Sequence, residues 1–285
     1  MVRTGRLGRP GPVPRRQGRR SPRAGGADHG RRRRGAGTVR GSGRVTLIGA
    51  GPGDPDLITV LGLKRLRGAD VVLHDRLAAP ELLSEAKAGA EIVDVGKRPG
   101  DDVQARQRRI EMLMIERALD GAHVVRLKGG DPIVFGRAGE EIEACAAAGV
   151  PCEVVPGVSS IVAAPAVAGI PLTHRGVSLG FAVVSARNAD GGEPDWAGLS
   201  GADTVVVLMP ARRLERIGRG LIAAGRRPAT PVAVVERATT TEQRTVRCTL
   251  QTLAAGLHSG RIKPPCVVIV GEVAARRSPL PRRDG

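Results

Sequence analysis

The stretch LKGGDPIVFG, residues 127–136, decides how this chain folds, because it joins a mostly apolar segment to a turn with three glycines, an acid and a proline. Glycine has no Cβ, so a turn of this kind lets a ligand approach the backbone closely. The glycines are not followed by a Lys-Ser/Thr pair, which excludes a phosphate-binding P-loop. The stretch is therefore either an ordinary turn between a strand and a helix or one wall of a ligand pocket.

Short β-branched segments alternate with helical patterns through the first half of the chain. We predict strands at residues 45–48, 71–73, 92–95, 124–127 and 153–155, and helices at 57–66, 106–119 and 139–148. Near-continuous apolar strands that alternate with helices indicate a parallel sheet covered on both faces. The turn at 127–136 and a second small-residue turn, PGVSS at 156–160, would then share the carboxyl edge of this sheet, where open α/β folds bind ligands.

Longer strands and fewer helices mark the second half, which predicts a mixed sheet. We predict strands at 179–185, 204–209, 231–236, 244–250 and 267–270, with helices at 212–224 and 251–257. The predicted fold class is α/β, with two α/β domains and the active site in the cleft between them. The expected divisions are a tail at 1–44, a parallel-sheet domain at 45–157, a passage rich in small residues at 158–171, a mixed-sheet domain at 172–276 and a tail at 277–285.

Three glycines also follow the first predicted strand, in the segment GAGPGDP at residues 49–55. The dinucleotide-binding fingerprint requires its third glycine one position later than Gly53, and Pro52 removes an amide that a phosphate would use. A tight turn and a cofactor site remain equally open interpretations of this segment when it is taken alone.

The positive charge of the chain is concentrated at its beginning. Residues 1–44 carry 14 arginines and one aspartate, a net charge of +13 out of the formal +17 of the whole chain. This segment is rich in Gly and Pro and lacks periodic apolar residues, so we predict a disordered basic tail. An arm that binds an anionic polymer and a solvated extension are the two interpretations. We favour the solvated extension, and we expect no nucleic-acid partner.

Composition argues against several classes of protein. Aromatic residues make up 1% of the chain, which disfavours a stacking platform for single-stranded nucleic acid. Uninterrupted apolar runs of ~18 residues are missing, so we expect no membrane span. The four cysteines form no CxxC pair and support neither a disulfide framework nor a zinc site. We therefore expect a cytoplasmic protein without a metal.

Eight segments of the chain together resemble the uroporphyrinogen-III C-methyltransferases, a family within the tetrapyrrole methylase superfamily. The segments are VTLIGAGPGDPDLITVLGLKRL from Val45, DRL from Asp75, VGKR from Val95, VVRLKGGDPIVFGRAGEE from Val124, VPGVSS from Val155, AGIPLTHR from Ala168, TPVAVVERATTTEQR from Thr230 and PPCVVIVGEV from Pro264. GAGPGDP and GGDP are shared across the superfamily, whereas LTHR and VERATTTEQR point to this family more narrowly.

The resemblance implies a homodimer that binds S-adenosylmethionine in the interdomain cleft and transfers its methyl group to a reduced tetrapyrrole. The implied product is precorrin-2, made from uroporphyrinogen III on the route to sirohaem and cobalamin. The GGDP backbone is implied to line the pocket of the methyl donor. The positions that match the donor-binding residues of the family are Pro52, Gly129, Gly130, Asp131, Val134, Phe135, Ser159, Ser160, Met209 and Ala238.

The DRL segment matches an element near the substrate side of the family, and basic residues next to the matching segments are candidate partners for the substrate. Asp75 is the candidate catalytic residue, as a proton acceptor, and an ordinary surface or helix-capping aspartate is the alternative. The candidate substrate-binding residues are Arg76, Leu77, Lys97, Arg98, His174 and Arg175. Further bases that could pair with the carboxylates of the substrate are Lys128, Arg137, Arg237 and Arg244.

The chain departs from the family pattern at Val167 and Leu208, where relatives usually carry tyrosine. Smaller side chains at these places would loosen the packing around the donor or the tetrapyrrole. Two alternative functions remain open: a methyltransferase that acts on another corrin-pathway intermediate, and, in a different class, a basic-tailed protein associated with nucleic acid.

Overall fold

The computed structural model describes residues 43–96, 100, 102–186, 188, 191–210, 213–256, 262–276 and 278. These residues form two five-stranded sheets that belong to one compact unit. The elements of the first sheet and its helices are β1 (Arg44–Gly49), α1 (Val60–Arg67), β2 (Val71–His74), α2 (Pro80–Leu83), β3 (Glu91–Asp94), α3 (Val103–Leu119), β4 (His123–Lys128), α4 (Ala138–Ala147) and β5 (Cys152–Val155).

The first sheet is parallel throughout, with the strand order β3-β2-β4-β1-β5. Alternate side chains of its strands fill two separate cores. Val45 and Leu47 of β1 pack in the core under α3 and α4, whereas Ile48 packs in the core under α1 and α2. Burial on both faces explains why these strands read as continuous apolar segments. The prediction of a parallel, two-sided sheet is confirmed.

The second sheet is mixed, as predicted, with the strand order β6-β7-β10-β8-β9. Only β6 and β7 run parallel among its described neighbours. Its elements are α5 (Ser160–Val167), β6 (Phe181–Ser185), α6 (Trp196–Leu199), β7 (Thr204–Leu208), α7 (Leu214–Ala223), β8 (Pro231–Glu236), β9 (Arg244–Thr249), α8 (Leu250–Ala254) and β10 (Cys266–Val270). Helices α6, α7 and α8 cover one face, and α5 covers the other.

Helix α5 lies inside the passage at 158–171, where the sequence predicts no helix. Ser159 starts the helix, because its hydroxyl accepts a hydrogen bond from the amide of Ile161 over 3.3 Å. Ile161 and Ala164 then pack against Val206 and other apolar residues of the mixed sheet. The helix consists of small and apolar residues and contains a proline, so it has no polar face that would reveal a helical period. Packing on the sheet stabilises it instead.

The ends of the predicted elements shift where caps intervene. The helix predicted from residue 57 begins at Val60, because the Thr59 hydroxyl accepts from the amide of Gly62 over 3.1 Å. Arg44, which the sequence assigns to the basic tail, is the first residue of β1. Residues 1–42 and the candidate substrate-binding residues Lys97 and Arg98 lie outside the described residues.

Candidate active site

Three glycine turns meet at the carboxyl edge of the parallel sheet. Gly51 and Gly130 exchange backbone hydrogen bonds, with N–O distances of 3.2 and 2.6 Å. A Cβ on Gly157 would lie 2.3 Å from the Gly130 carbonyl oxygen, and one on Gly49 would lie 2.5 Å from the Gly157 Cα. Real Cβ atoms do not approach that closely, so only glycine allows the turns after β1, β4 and β5 to touch.

Asp131 ties two of these turns together. One carboxylate oxygen accepts hydrogen bonds from the amides of Ile133 and Val134, over 2.9 and 3.2 Å. The other oxygen accepts from the amide of Gly157 over 3.0 Å. Both oxygens are thus bonded to the main chain, so the side chain of Asp131 fixes the shape of the wall that the sequence predicts to bind the methyl donor.

The backbone is strained around this edge. Non-glycine residues in the left-handed region are uncommon and cost roughly 1–3 kcal/mol each. Within the described residues they are Phe135 (φ 52°), Arg137 (φ 59°), Met209 (φ 53°), Arg237 (φ 44°) and Thr239 (φ 71°). All of them follow the carboxyl ends of β4, β7 or β8. Such clustering is typical of functional sites, where the chain holds side chains in directions that an unstrained turn would not give.

The segment after β8 connects the mixed sheet to the glycine turns of the parallel sheet. The Thr239 hydroxyl accepts a hydrogen bond from the amide of Asp54 over 3.0 Å. The Gln243 side chain accepts from the amide of Thr239 over 2.8 Å and donates to the carbonyl of Val167 over 3.3 Å. Val134 of the β4–α4 turn packs against the same apolar cluster as Ala238. The ERATTTEQR segment therefore joins the carboxyl edges of the two sheets.

Large apolar side chains remain exposed in the turns of this edge. Leu77 and Ile133 are each 57% exposed, Phe135 is 47% exposed and Met209 is 49% exposed. Leu77 adjoins the GGDP turn, because a Cβ on Gly129 would lie 2.5 Å from the Leu77 Cβ. Exposed apolar residues beside bare backbone favour a ligand that has both apolar and polar parts.

Most of the predicted donor-binding residues lie in these connected turns. Pro52 sits between Gly51 and Gly53 in the turn after β1. A Cβ on Gly130 would point toward Ser159 and Ser160 and would meet their backbone at van der Waals distances of 3.9 and 4.0 Å, so these two turns also lie side by side. Met209 and Ala238 follow β7 and β8, whose carboxyl ends share one edge of the mixed sheet.

Asp75 follows β2 at the same edge of the parallel sheet. One carboxylate oxygen accepts from the amide of Leu77 over 2.9 Å, and the other lies 3.8 Å from a guanidinium nitrogen of Arg126. The Asp75 side chain is 26% exposed, whereas that of Arg126 is only 6% exposed. The candidate proton acceptor thus has one side open and the other held by a buried cation.

Behind Arg126 lies a buried polar group, of which the sequence analysis singles out only Lys128. We call Arg126, Lys128, Gln107 and Glu141 the Arg126 cluster. Glu141, on α4, is fully buried and lies 3.4 Å from Arg126 Nε, 2.7 Å from Lys128 Nζ and 3.3 Å from Gln107 Nε2. Burial, followed by the nearby positive charge of Arg126, lowers the pKa of Lys128, while Glu141 opposes this shift.

Several bases named as substrate partners are already paired. Lys128 is buried against Glu141, which corrects its assignment as a partner for substrate carboxylates. Ion pairs with neighbouring glutamates hold three more, namely Arg137 with Glu140, Arg237 with Glu242 and Arg244 with Glu236. Arg76 is exposed, and its side chain lies beside Gly96 at the end of β3.

His174 and Arg175 are exposed but lie at a different place from Met209. The amide of His174 donates to the carbonyl of Ser178 over 2.9 Å, and Ser178 bonds the hydroxyl of Thr204 over 2.9 Å. Thr204 is the first residue of β7, whereas Met209 follows its last residue. Within one chain, the structure therefore does not bring these two candidates together with the turns at the carboxyl edge.

A cavity of about 310 Å³ opens beside Arg76, between the end of β3 and helix α3. Its lining includes Asp94, Gly96, Arg106 and Arg109. The Nη1 atom of Arg106 is buried and has no hydrogen-bond partner among the described residues. A buried guanidinium nitrogen without a hydrogen-bond partner favours binding of an anionic ligand group. The sequence does not predict this role, because Arg106 lies among other polar residues of α3.

Comparison with known families agrees with this geometry. Residues 44–254 match the family model described as Tetrapyrrole (Corrin/Porphyrin) Methylases. The chain therefore belongs to the tetrapyrrole methylases, and the resemblance seen in the sequence is confirmed.

Individual relatives narrow the match further. A uroporphyrinogen-III C-methyltransferase from Methanocaldococcus jannaschii is 45% identical over 235 residues, which cover 81% of this chain and 97% of that protein. A siroheme synthase from Tolumonas auensis is 45% identical over 82% of this chain, which spans only 50% of that longer protein. The crystal structure of the uroporphyrin-III C-methyltransferase from Thermus thermophilus, complexed with S-adenyl homocysteine, is similar with a TM-score of 0.72 and 43% identity, over 82% of this chain and 94% of that one.

The described residues lack two other features. They contain no group of three or more His, Cys, Asp or Glu side chains arranged to hold a metal ion. They also contain no helix with the length and apolar character that crossing a membrane requires.

Proposed function

We propose that this chain transfers a methyl group from S-adenosylmethionine to carbon atoms of uroporphyrinogen III and so makes precorrin-2. One observation carries the proposal: the glycine turns after β1, β4 and β5 form a braced wall beside exposed apolar residues, in a chain of which 81% aligns with a uroporphyrinogen-III C-methyltransferase. Relatives that include the siroheme synthases favour a role on the route to sirohaem or cobalamin.

The residues at the wall fit an adenosyl donor. Gly130 leaves main-chain atoms bare beside Ser159 and Ser160, and Leu77 packs against the adjoining Gly129. Phe135 and Met209 offer apolar surface, while the Asp131 carboxylate keeps the turn in shape through its bonds to the main chain. We propose that these residues, together with Pro52, Val134, Ser160 and Ala238, bind the donor.

When bound, S-adenosylmethionine supplies an electrophilic methyl group, and its transfer to a ring carbon leaves a neutral thioether and a ring proton to be removed. The electron-rich carbon of a reduced tetrapyrrole needs no prior activation, so the protein contributes orientation and proton handling. We propose that the Asp75 carboxylate accepts this proton, because its side chain is partly exposed.

The carboxylates of the tetrapyrrole require cationic partners, for which arginine is well suited. Arg76 and Arg106 support this part of the proposal, since the first is exposed next to Asp75 and the second lines the adjoining cavity and has a buried guanidinium nitrogen without a partner among the described residues. Leu77, Lys97, Arg98, His174 and Arg175 complete the proposed substrate-binding set. The last two would have to act through an assembly, because they lie at the other end of β7.

We also propose a cytoplasmic homodimer built from two domains, at residues 45–157 and 172–276. The four cysteines, all within the described residues, form no disulfide, which fits a reducing compartment. Leu179 is 90% exposed and Phe181 is 41% exposed at the edge strand β6, which favours a protein contact there.

The decisive experiment is an anaerobic assay with the purified chain, S-adenosylmethionine and uroporphyrinogen III. The expected result is a methylated tetrapyrrole detected by mass and absorbance, together with formation of S-adenosylhomocysteine. If uroporphyrinogen III is inert but a later corrin intermediate is methylated, the substrate must be reassigned within the family. If no reduced tetrapyrrole is methylated, the enzymatic proposal is wrong.

A further inference from the structure

A row of alternating charges leads from Asp75 into the core of the parallel sheet. Asp75, Arg126, Glu141 and Lys128 follow one another at 3.8, 3.4 and 2.7 Å. Exposure of the side chain falls along this row, from 26% at Asp75 to 6% at Arg126 and 0% at Glu141. The row therefore connects the proposed proton acceptor to charges that are shielded from solvent.

The burial of these charges is hard to explain as a contribution to stability. Removing charged groups from water carries a large desolvation cost, and apolar residues of similar volume often replace buried ion pairs without loss of stability. Arg126 and Lys128 also lie in the central strand β4, directly before the Gly129-Gly130 turn. A costly polar group at this position is better explained by the geometry that it gives to the neighbouring site.

We propose that the Arg126 cluster is a positioning device for the Asp75 carboxylate during methyl transfer. This inference rests on the proposed function. Arg126 holds one carboxylate oxygen while the amide of Leu77 holds the other, so the carboxylate cannot rotate freely. Glu141 holds Arg126 in turn, with Lys128 and Gln107 bonded to the same carboxylate.

The three nitrogen atoms of the Arg126 guanidinium contact different partners, which the single amine of a lysine could not reproduce. Nη1 donates to the carbonyls of Leu127 and Leu73, over 2.9 and 3.4 Å. Nε faces Glu141 and Nη2 faces Asp75. Because Leu73 lies on β2, two residues before Asp75, Arg126 aligns both the strand and the carboxylate that follows it. The planar guanidinium therefore orients the Asp75 carboxylate in addition to supplying a positive charge.

Glu141 acts on Asp75 without touching it. Lys128 and Arg126 carry like charges on the same side of β4, and the buried carboxylate of Glu141 between them offsets their repulsion. The lowered pKa of Lys128 agrees with this crowding. In Glu141→Gln, we expect Arg126 to move away from Lys128 and to release the carboxylate of Asp75.

The test is a double-mutant cycle on kcat, measured with saturating donor and uroporphyrinogen III. Asp75→Asn should lower kcat about 100-fold, as expected for loss of a general base. Arg126→Met should lower it about 10- to 100-fold through misplacement of the carboxylate. The double variant should be no slower than Asp75→Asn alone, because Arg126 acts through Asp75. Arg126→Lys should recover only part of the rate.

Binding of S-adenosylhomocysteine, measured by calorimetry, should be unchanged in all these variants, and KM should change far less than kcat. Arg117→Met is a matched control, since Arg117 forms an ion pair with Glu91 on the outside of the protein. This control should keep the kcat of the wild type. A further variant, Arg126→Met/Lys128→Met/Glu141→Leu, removes the buried charges together and should keep the stability of the wild type while losing the rate.

Multiplicative effects of Asp75→Asn and Arg126→Met would overturn the positioning role while the proposed function stands. A fully active triple variant would overturn it as well. A wild-type chain that methylates no tetrapyrrole would overturn the proposed function and this inference with it.

Discussion

The carboxyl edges of the two sheets form their turns with different kinds of residue. On the parallel sheet, Gly49, Gly130 and Gly157 bring main chain against main chain, and a Cβ on two of them would collide with backbone at 2.5 and 2.3 Å. On the mixed sheet, Met209 and Arg237 adopt positive φ and keep their side chains. Where the backbone itself is the contact surface, side chains are excluded; where a side chain must point in a fixed direction, the chain tolerates strain.

The largest effect should come from adding one methyl group to the glycine wall. In Gly157→Ala, the new Cβ meets the Gly130 carbonyl oxygen at 2.3 Å, and neither backbone can give way without parting the turns. We expect a loss of about 3 kcal/mol in the free energy of unfolding. Urea denaturation measures the stability, and calorimetry with S-adenosylhomocysteine should show no binding.

Gly139 provides the matched control for this substitution, because nothing lies within 4 Å of its added Cβ and the residue is part of α4. Gly139→Ala should raise stability by about 0.5–1 kcal/mol, in line with helix propensity. Equal stability of Gly157→Ala and Gly139→Ala would show that the close approach of the turns is not required.

A smaller effect should follow from changing the brace between the turns. In Asp131→Asn, the amide oxygen can still accept from Ile133 and Val134, but the NH₂ group faces the amide of Gly157, so two donors oppose each other. We expect a loss of about 1–3 kcal/mol in stability and weaker binding of S-adenosylhomocysteine. Asp56→Asn is a suitable control at an exposed position. Wild-type values of both quantities in Asp131→Asn would remove Asp131 from the wall.

At Met209, by contrast, we expect a substitution to weaken ligand binding and to leave stability almost unchanged. Met209→Gly relieves a φ of 53° and removes a side chain that is half exposed, so stability should change by no more than about 1 kcal/mol. Affinity for S-adenosylhomocysteine should fall about tenfold, because the apolar contact is lost. Calorimetry and urea denaturation separate the two quantities. A large loss of stability without a loss of affinity would mean that Met209 serves the fold and not the ligand.

The smallest effect belongs to the amino end of β4, away from the site. Burial lowers the pKa of His123 below its usual 6.5, and its neutral ring accepts from Thr46 and donates to the carbonyl of Gly68, over 3.0 and 3.1 Å. The unfolded chain therefore binds a proton at a higher pH than the folded chain does. Stability should fall as pH drops from 6.5 toward the lowered pKa, by about 1.4 kcal/mol for each unit of difference. Urea midpoints of His123→Gln should lack this slope, and identical slopes in both proteins would contradict the argument.

The sequence predicts most of the fold because apolar strands and capped helices carry local signals. The parallel order of the first sheet and the mixed character of the second both follow from the ratio of strands to helices. Helix α5 escapes prediction because its small and apolar residues have no polar face, and it depends on packing against the mixed sheet. Sequence periodicity therefore does not predict a helix that only tertiary packing stabilises.

The site is predictable only in part, because its glycine turns have a sequence signal and its buried charges have little. Asp75 and Arg126 are far apart in the chain, and only the register that pairs Leu73 with Arg126 brings them together. Two charged residues at alternate positions of an otherwise apolar strand, Arg126 and Lys128, are the available signal. The placement of His174 away from Met209 could not be read from motifs, since motifs do not say which end of a strand a turn occupies.

The paired hydrogen bonds between Gly51 and Gly130 have a consequence for the thermodynamics of ligand entry. Each amide is bonded to the carbonyl of the other residue before any small molecule arrives, so these turns lose little conformational entropy on association. Their amide protons should exchange with deuterium slowly even in the ligand-free protein, at rates set by larger openings of the sheet. The shape of the wall, which determines the ligand that it accepts, is therefore set when the protein folds and not when the ligand binds.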